Sequence, residues 1–199
     1  MTLLLFFLTA YLLGSIPSGY LIARWVRGID IRQHGSRNIG ATNVFRVVGK
    51  KWGVYVFILD GLKGYAGVRL PELFGFSLPG PFLIGLGIVS ILGHTYTLWL
   101  SFKGGKGVAT SFGVFLAICP RPTLLSFGIF CLIFGMGRIL SLGSLAAAAS
   151  FPFMVTLTHF RNPEFAWFLG VSLALSAFIF YTHRKNLERL FRGKEKKLF

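Results

Sequence analysis

The chain has 199 residues, of which 54% are hydrophobic and only 14% are charged. A soluble domain carries about 25% charged residues, so this composition excludes an ordinary soluble protein and indicates an integral membrane protein. The formal net charge of +15 would suit nucleic-acid binding. Basic cytoplasmic loops explain that charge better in so apolar a chain, and no nucleic-acid partner is expected.

Apolar segments occupy most of the chain and are separated by short polar stretches. Most of them approach the length of about 20 residues that a helix needs to cross a bilayer. We therefore predict an all-α bundle of seven transmembrane helices, forming a single domain over residues 1–199. The predicted helices cover residues 3–26, 53–70, 80–100, 107–120, 122–137, 139–159 and 164–182.

The positions of Lys and Arg predict how the bundle crosses the membrane. With the N-terminus outside, 16 of these cations fall on cytoplasmic connections and the tail, against 3 on the outer connections. This asymmetry obeys the positive-inside rule. We expect a multi-pass protein of the cell (inner, cytoplasmic) membrane with a cytoplasmic C-terminus and four polar elements converging on its cytoplasmic face.

The first polar element combines glycines with hydroxyl, amide and cationic side chains, a mixture that suits a phosphate group. Gly35 and Gly40 allow positive φ or close backbone approach, and Arg46 shares a face with Thr42 if residues 42–51 form a helix. The Lys-Ser/Thr pair of a nucleotide-binding P-loop is missing, and an ordinary glycine-rich loop is the alternative. The candidate ligands are Ser36, Asn38, Gly40, Thr42, Asn43 and Arg46.

The second polar element, Lys103-Gly-Gly-Lys-Gly107, lies directly before an apolar segment. A helix N-terminus there would present free N–H groups and partial positive charge to an anion, and Lys106 would add a full charge. A basic loop that only sets membrane topology is the alternative. The candidate ligands are Lys103, Gly104, Gly105, Lys106 and Gly107.

Two further polar elements are predicted at the same face. Ser141 and Ser144 lie on one side of a helix with Arg138 one turn earlier, although serines in membrane helices often serve only packing. His183 and Asn186 are three residues apart at the inner end of the last helix.

Two opposite charges, Asp60 and Lys63, lie inside the second apolar segment. Charges within a membrane span are costly, and they mark either a mutual pair or an inward-facing site. Their spacing allows a salt bridge. We expect a structural pair that braces the site, with direct substrate contact as the alternative.

The acidic residues are too few and too scattered for several kinds of chemistry. No two of the six carboxylates are adjacent, which argues against a magnesium site, and neither a metal nor a cofactor is expected. The motifs of a serine-nucleophile elbow and of a His base paired with an Asp are both missing. An already activated, phosphate-bearing donor would need little acid–base help.

These motifs, in their order, resemble the bacterial acyl-phosphate:glycerol-3-phosphate acyltransferases of the PlsY type. The resemblance implies a seven-helix membrane enzyme that transfers an acyl group from acyl phosphate to the 1-hydroxyl of glycerol 3-phosphate, giving lysophosphatidic acid and inorganic phosphate. This is the first step of bacterial phospholipid synthesis, and it uses neither coenzyme A nor acyl carrier protein. The matching motifs are Gly35–Asn43, Asp60-x-x-Lys63-Gly64, Gly93-His94, Lys103–Thr110, Arg138-x-x-Ser141-x-x-Ser144 and His183-x-x-Asn186-Leu187.

The resemblance also implies roles for single residues. The Lys103–Gly107 loop would help to hold glycerol phosphate, and Glu195 would be structural. Two departures are visible, because Thr97 stands where a proline usually follows the Gly-His pair and Lys185 takes a place that is often acidic. The residues implied to surround the substrate phosphates are Ser36, Arg46, Lys106, His183 and Asn186, and those implied to line the same pocket are Thr42, Asn43, Ser141 and Ser144.

The lack of an obvious base favours substrate assistance, in which an oxygen of the acyl phosphate accepts the hydroxyl proton. Whether His183 acts as a base stays open. A membrane transporter of phosphate or organophosphate is the alternative function, but transporters usually bind near the bilayer midplane between repeated halves. A scaffold that binds anionic lipids would explain the basic tail and leave the two glycine-rich loops unexplained.

Overall fold

The computed structural model describes residues 1–198, which form ten α-helices and two 3₁₀ turns without a strand. The turns cover Ile31–Gln33 and Leu98–Leu100. The helices are α1 (Thr2–Ser15), α2 (Ser18–Arg27), α3 (Ala41–Val47), α4 (Lys50–Leu73), α5 (Gly80–Thr95), α6 (Val108–Ile118), α7 (Pro120–Gly137), α8 (Leu140–His159), α9 (Phe165–Thr182) and α10 (Arg184–Phe191). They group into two compact units, Met1–Ile118 and Cys119–Phe199.

Each predicted apolar segment is mainly helical, but the predictions of one continuous helix over 80–100 and over 3–26 are wrong. The helix predicted over 80–100 ends at Thr95, and a 3₁₀ turn follows at Leu98–Leu100. The other break lies between α1 and α2. The chain leaves the helical path at Ile16, and a second helix starts two residues later. Pro17 causes the break, because its ring nitrogen has no hydrogen to donate and the α region is disfavoured for the residue before it. The backbone carbonyls at the end of α1 therefore need other partners.

Five segments are long and apolar enough to cross a membrane, so the protein is a multi-pass membrane protein. They are Thr2–Arg27, Gly80–Leu100, Pro120–Gly137, Leu140–His159 and Phe165–Thr182. Two of the seven predicted crossings fall outside this set. Helix α6 has only 11 residues, or about 16 Å of helix, and α4 is long enough but carries six charged residues.

In the first unit, α4 packs along α6, and α1 lies against both α4 and α5. The backbones of α4 and α6 approach so closely that a Cβ atom at Gly113 would overlap the backbone of Gly61. Small residues at such crossings are typical of membrane helices. A buried cluster joins α2, α3 and α4 to the first polar element and to both 3₁₀ turns through Ile22, Ala23, Ile31, Ile39, Val44, Val48, Val56 and Leu100.

In the second unit, α7 packs on α8, and α8 packs on α9. The last apolar helix ends at Thr182, and the short helix α10 follows it at once. This helix is absent from the predicted elements because its composition is that of a basic tail. Its sequence places apolar Leu187, Leu190 and Phe191 among cations, a pattern typical of helices that lie in a membrane interface.

Candidate functional site

The first polar element, residues 34–46, is organised around the buried amide of Asn43. The Nδ2 group of Asn43 donates to the carbonyl oxygens of Asn38 at 2.8 Å and His34 at 3.0 Å, with a longer contact of 3.3 Å to Ile31, while its Oδ1 atom accepts from the N–H of Ser36 at 2.8 Å. Both ends of the amide are used within the loop. This side chain therefore holds the loop in shape.

Both predicted uses of glycine in this element are confirmed, one at each position. Gly35 has φ +59, and a Cβ atom there would overlap the side chain of Asn43. Gly40 has an ordinary negative φ, but its N–H donates to Asn38 Oδ1 at 2.8 Å, and an added Cβ atom would lie 2.9 Å from that oxygen. The loop thus needs a left-handed turn at one glycine and close approach at the other.

The predicted phosphate ligands of this element lie at or near its surface. Ser36 is exposed, whereas Thr42 and Arg46 are half-buried on the short helix α3. The predicted helix over 42–51 is confirmed in its first part only, because the chain breaks at Gly49, with φ +140, before α4 begins. Thr42 and Arg46 share one face of α3, as their spacing of four residues requires.

An ion pair fixes the entry to the first element. Arg32 donates from Nε and Nη2 to the carboxylate of Asp30, at 3.0 Å and 2.7 Å, and its guanidinium lies 5.2 Å from the ring centre of Tyr20 on α2. The side-chain hydrogen bond from Arg32 is the main reason why the pKa of Asp30 lies below its ordinary value, against a smaller opposing effect of desolvation. This carboxylate is a structural partner.

The second polar element, Lys103–Gly107, is held by its backbone. The N–H groups of Gly104 and Gly105 donate to the carbonyl oxygens of Thr95 at 2.9 Å and His94 at 3.0 Å, at the end of α5. A Cβ atom at Gly104 would overlap the two carbonyl groups, and one at Gly105 would overlap the His94 ring. Lys103 is exposed and Lys106 is half-buried, so the loop presents its cations on a frame made by glycine.

As predicted, an apolar helix starts directly after this loop. Gly107 has φ +82, and its carbonyl accepts the first helical bond of α6, from Ser111, at 2.7 Å. The hydroxyl groups of Thr110 and Ser111, in the first turn, are buried without a hydrogen-bond partner among residues 1–198. Ser111 is absent from the predicted site residues, although a hydroxyl beside a helix N-terminus after a glycine-lysine loop is a usable signal.

The predicted salt bridge between Asp60 and Lys63 is confirmed. Asp60 Oδ1 lies 2.8 Å from Lys63 Nζ, and both side chains are almost fully buried in the first unit. Two partners were not predicted. Lys63 Nζ donates to the carbonyl of Ile16 at 2.6 Å, and Nδ1 of the buried His94 lies 3.7 Å from Asp60 Oδ1.

The second unit gathers its polar residues around Glu195. The carboxylate of this residue accepts from Ser141 Oγ at 2.8 Å, Asn186 Nδ2 at 2.6 Å and Arg189 Nε at 2.5 Å. Burial raises the pKa of Glu195, but these three hydrogen bonds outweigh it and bring the pKa below the ordinary value. Ser144 is different, because its hydroxyl donates to the carbonyl of Leu140 in its own helix at 2.9 Å.

The helices of the second unit end close to the predicted bounds. Arg138 lies in the turn between α7 and α8, as those bounds predict, and it has a left-handed conformation with φ +55. His183 lies between α9 and α10, and Asn186 belongs to α10. Both residues are buried.

The imidazole of His183 is oriented by a backbone group. Its Nδ1 atom lies 2.9 Å from the carbonyl oxygen of Ile179. A carbonyl can only accept, so Nδ1 must carry the proton. Any gain or loss of a proton by this ring therefore takes place at Nε2.

Backbone strain is concentrated at the polar elements. Among residues 1–198, the non-glycine residues with positive φ are Arg37, Ser101, Phe102 and Arg138. Arg37 lies inside the first element, the next two directly precede the second, and Arg138 precedes the serine helix. Strained backbone that persists in this way is often found at ligand-binding positions.

A family model and two curated relatives of this chain carry the same description. A family model described as glycerol-3-phosphate acyltransferase matches residues 4–193. Curated proteins of that name from Fusobacterium nucleatum and Myxococcus xanthus are 42% and 44% identical to this chain, over 96% of each chain in both cases.

Two crystal structures are similar to this chain over nearly its whole length. Both are of PlsY, an integral membrane glycerol 3-phosphate acyltransferase, in its glycerol 3-phosphate and lysophosphatidic acid forms. Each is 40% identical and covers 99% of this chain, with TM-scores of 0.87 and 0.84 over 96% and 95% of those chains.

Proposed function

Because the chain belongs to the glycerol-3-phosphate acyltransferase family, we propose that it transfers an acyl group to the 1-hydroxyl of glycerol 3-phosphate in membrane phospholipid synthesis. The observation that carries this proposal is its likeness over the full chain to PlsY, whose crystal forms hold glycerol 3-phosphate and lysophosphatidic acid. The product is lysophosphatidic acid. We further propose acyl phosphate as the donor, without coenzyme A or acyl carrier protein.

The proposed topology keeps seven crossings, with the N-terminus outside and the polar elements at the cytoplasmic face of the inner membrane. Two of these crossings differ from a typical membrane span, because α6 is shorter and α4 is less apolar. They support each other, since α4 packs along α6 and its central charges are paired and buried. The distribution of Lys and Arg supports the orientation.

The two polar elements of the first unit suit anionic substrates in complementary ways. The Lys103–Gly107 loop combines a helix N-terminus with two lysines, which suits the phosphate of glycerol 3-phosphate. The first element offers the exposed Ser36 and the α3 face of Thr42 and Arg46. We propose that these groups hold substrate phosphate, whereas Asn43 shapes the loop.

The second unit contributes a second set of proposed ligands. His183 and Asn186 are buried, and Asn186 is held by Glu195 at 2.6 Å. Ser141 shares the same carboxylate. We propose His183 and Asn186 as substrate contacts, Ser141, Ser144 and Arg138 as their neighbours in substrate binding, and Glu195 as the residue that positions them.

The proposed mechanism needs little from a protein base. The 1-hydroxyl oxygen of glycerol 3-phosphate attacks the acyl carbonyl carbon while an oxygen of the acyl phosphate accepts the hydroxyl proton. The bond from that carbon to the phosphate oxygen then breaks, and inorganic phosphate leaves with the proton. Phosphate is a good leaving group, so positioning and charge neutralisation supply most of the rate.

The test uses purified protein in lipid with labelled glycerol 3-phosphate. Acyl phosphate, acyl-coenzyme A and acylated acyl carrier protein are supplied as donors in parallel reactions. We expect labelled lysophosphatidic acid with acyl phosphate alone. Lys106→Ala should lose about 100-fold or more of the rate, and the exposed Lys194→Ala serves as a control for loss of one cation. Product with acyl-coenzyme A alone would overturn the donor assignment.

A vesicle assay on the same material separates the enzyme from the alternative function. We expect no uptake of labelled glycerol 3-phosphate that depends on the protein. Uptake without any lysophosphatidic acid would identify an organophosphate transporter and overturn the proposal.

The role of His183 is tested by exchange for a side chain that hydrogen-bonds but cannot titrate near neutral pH. If the ring only holds substrate, we expect His183→Gln to keep much more activity than His183→Ala. Equal losses in the two variants would show that His183 is a base and that substrate assistance is wrong.

A further inference from the structure

We infer that the buried pair of Asp60 and Lys63 is a shared support for both glycine-rich elements, with Lys63 positioning the first and Asp60, through His94, positioning the second. The inference rests on the proposed function only where substrate kinetics are used. It assigns positioning roles to these three residues, without substrate contact.

Lys63 closes the break between α1 and α2. Its Nζ atom donates to the carbonyl of Ile16 at 2.6 Å, next to the break at Pro17, and the same carbonyl accepts from the N–H of Ser18 at 3.0 Å. The carbonyl of the preceding Ser15 accepts from Thr97 Oγ1 at 2.5 Å. A cation at the C-terminal end of a helix also compensates the partial negative charge there.

Helix α2 carries the effect of this anchor to the first element. The helix packs so closely on the Gly35–Asn43 loop that a Cβ atom at Gly19 would overlap the carbonyl oxygen of Ile39. Arg32, within the entry to the loop, stacks on Tyr20 of the same helix. The direction in which α2 leaves the break therefore sets the position of the loop.

Asp60 reaches the second element through His94. The Nδ1 atom of His94 lies 3.7 Å from Asp60 Oδ1. On the other side of the ring, Nε2 occupies the space that a Cβ atom on residue 105 would need. The carbonyl of His94 accepts from the N–H of Gly105 at 3.0 Å. A shift of the ring must therefore move the loop that carries Lys106.

Because both members of the pair are charged and buried, the loss of one of them disturbs the structure more than the loss of an apolar contact. The side chains of Asp60, Lys63 and His94 are at most 6% exposed. Removal of one partner would leave the other charge buried and uncompensated. The double variant D60N/K63M avoids this, because it removes both charges together and keeps the side-chain volumes close to those of the native pair.

Hydrogen–deuterium exchange of the full-length protein in lipid tests the inference without any need for activity. We expect D60N/K63M to speed exchange roughly fivefold or more in peptides covering residues 34–43 and 103–107, and H94Q to do so in 103–107 alone. The control is E72Q, since Arg69 and Glu72 form the equivalent i,i+3 pair at the exposed end of the same helix. It should leave both peptides unchanged.

Two results would overturn the inference: unchanged exchange in the two elements of the double variant, or faster exchange of H94Q throughout residues 1–118. A second experiment measures kinetics and therefore depends on the proposed function. We expect H94Q to raise the KM for glycerol 3-phosphate by about tenfold, with a much smaller change in kcat. If the wild-type protein makes no lysophosphatidic acid, the proposed function fails, and the exchange experiment alone decides the inference.

Discussion

The two glycine-rich elements of the first unit reach a fixed shape by opposite means. The Gly35–Asn43 loop is tied by side chains, above all by the Asn43 amide with its bonds to Ser36, His34 and Asn38. The Lys103–Gly107 loop is tied by main-chain hydrogen bonds to α5 and by the absence of side chains at its glycines. The first loop should therefore fail when the Asn43 side chain is removed, whereas the second has no such side chain to lose and should fail when one is added.

The largest expected effect is the addition of one methyl group to the second loop. Gly104→Ala would drive a Cβ atom into the carbonyl groups of His94 and Thr95, which belong to backbone and cannot rotate away. We expect kcat/KM to fall about 100-fold or more, measured as lysophosphatidic acid formed. Gly128→Ala is the matched control, because nothing lies within 4 Å of its Cβ position. Nearly normal activity of Gly104→Ala would show that the loop tolerates side chains.

Removal of the Asn43 side chain is the corresponding test of the first loop. Asn43→Ala leaves buried N–H and carbonyl groups without their partners, so we expect a loss of about 3 kcal/mol in the free energy of unfolding and an activity roughly tenfold lower or worse. The measurement is thermal unfolding in detergent together with the acyltransfer assay. Asn162→Ala is the control, because Asn162 makes an equivalent bond, to Glu164, at an exposed position. Equal stability of the two variants would contradict the role given to Asn43.

In the second unit, Glu195 likewise holds its surroundings through side-chain hydrogen bonds. Its lowered pKa predicts that the stability of the fold depends on pH. Its pKa is lower in the folded protein than the ordinary value of 4.5. The carboxylate therefore stabilises the fold fully above that ordinary value, and the contribution is lost as the pH falls through the lowered pKa. We expect Glu195→Gln to unfold at a lower temperature than wild type at pH 7. The difference should shrink below pH 4.5 in melting curves of both proteins, and a constant difference would contradict this origin.

The smallest effect is expected where the first loop depends on a single bond. Asn38→Ala removes only the hydrogen bond that the N–H of Gly40 donates to Asn38 Oδ1, at a half-buried position. We expect a loss of about 1 kcal/mol or less in the free energy of unfolding and less than a threefold change in activity, measured as for Asn43→Ala. A loss as large as that of Asn43→Ala would mean that the loop has no dominant anchor.

The sequence was sufficient for features that depend on local pattern. Apolar length predicted the helices, the i,i+3 spacing predicted the Asp60–Lys63 pair, and the glycines at 35 and 40 predicted a loop with unusual backbone or close approach. Contacts between distant residues were out of reach. The bond from Lys63 to Ile16 spans 47 residues, and no spacing rule indicates it.

The other wrong or missing predictions concern local structure, where the sequence pattern allows more than one outcome. Pro17 was compatible with a kinked helix as well as with the observed break, because neighbouring groups in membrane proteins often repair a proline. Arg138 has a left-handed conformation that is uncommon outside glycine, so the turn between α7 and α8 was predicted but its backbone conformation was not. Helix α10 was missed because eight residues rich in cations look like a tail.

The backbone ties of the Lys103–Gly107 loop have a consequence for turnover. A loop whose shape depends on bonds to α5 already has that shape before any substrate arrives, so its N–H groups need little reorganisation on binding. The entropy of ordering the loop is then lost once, when the chain folds, and not again in each catalytic cycle.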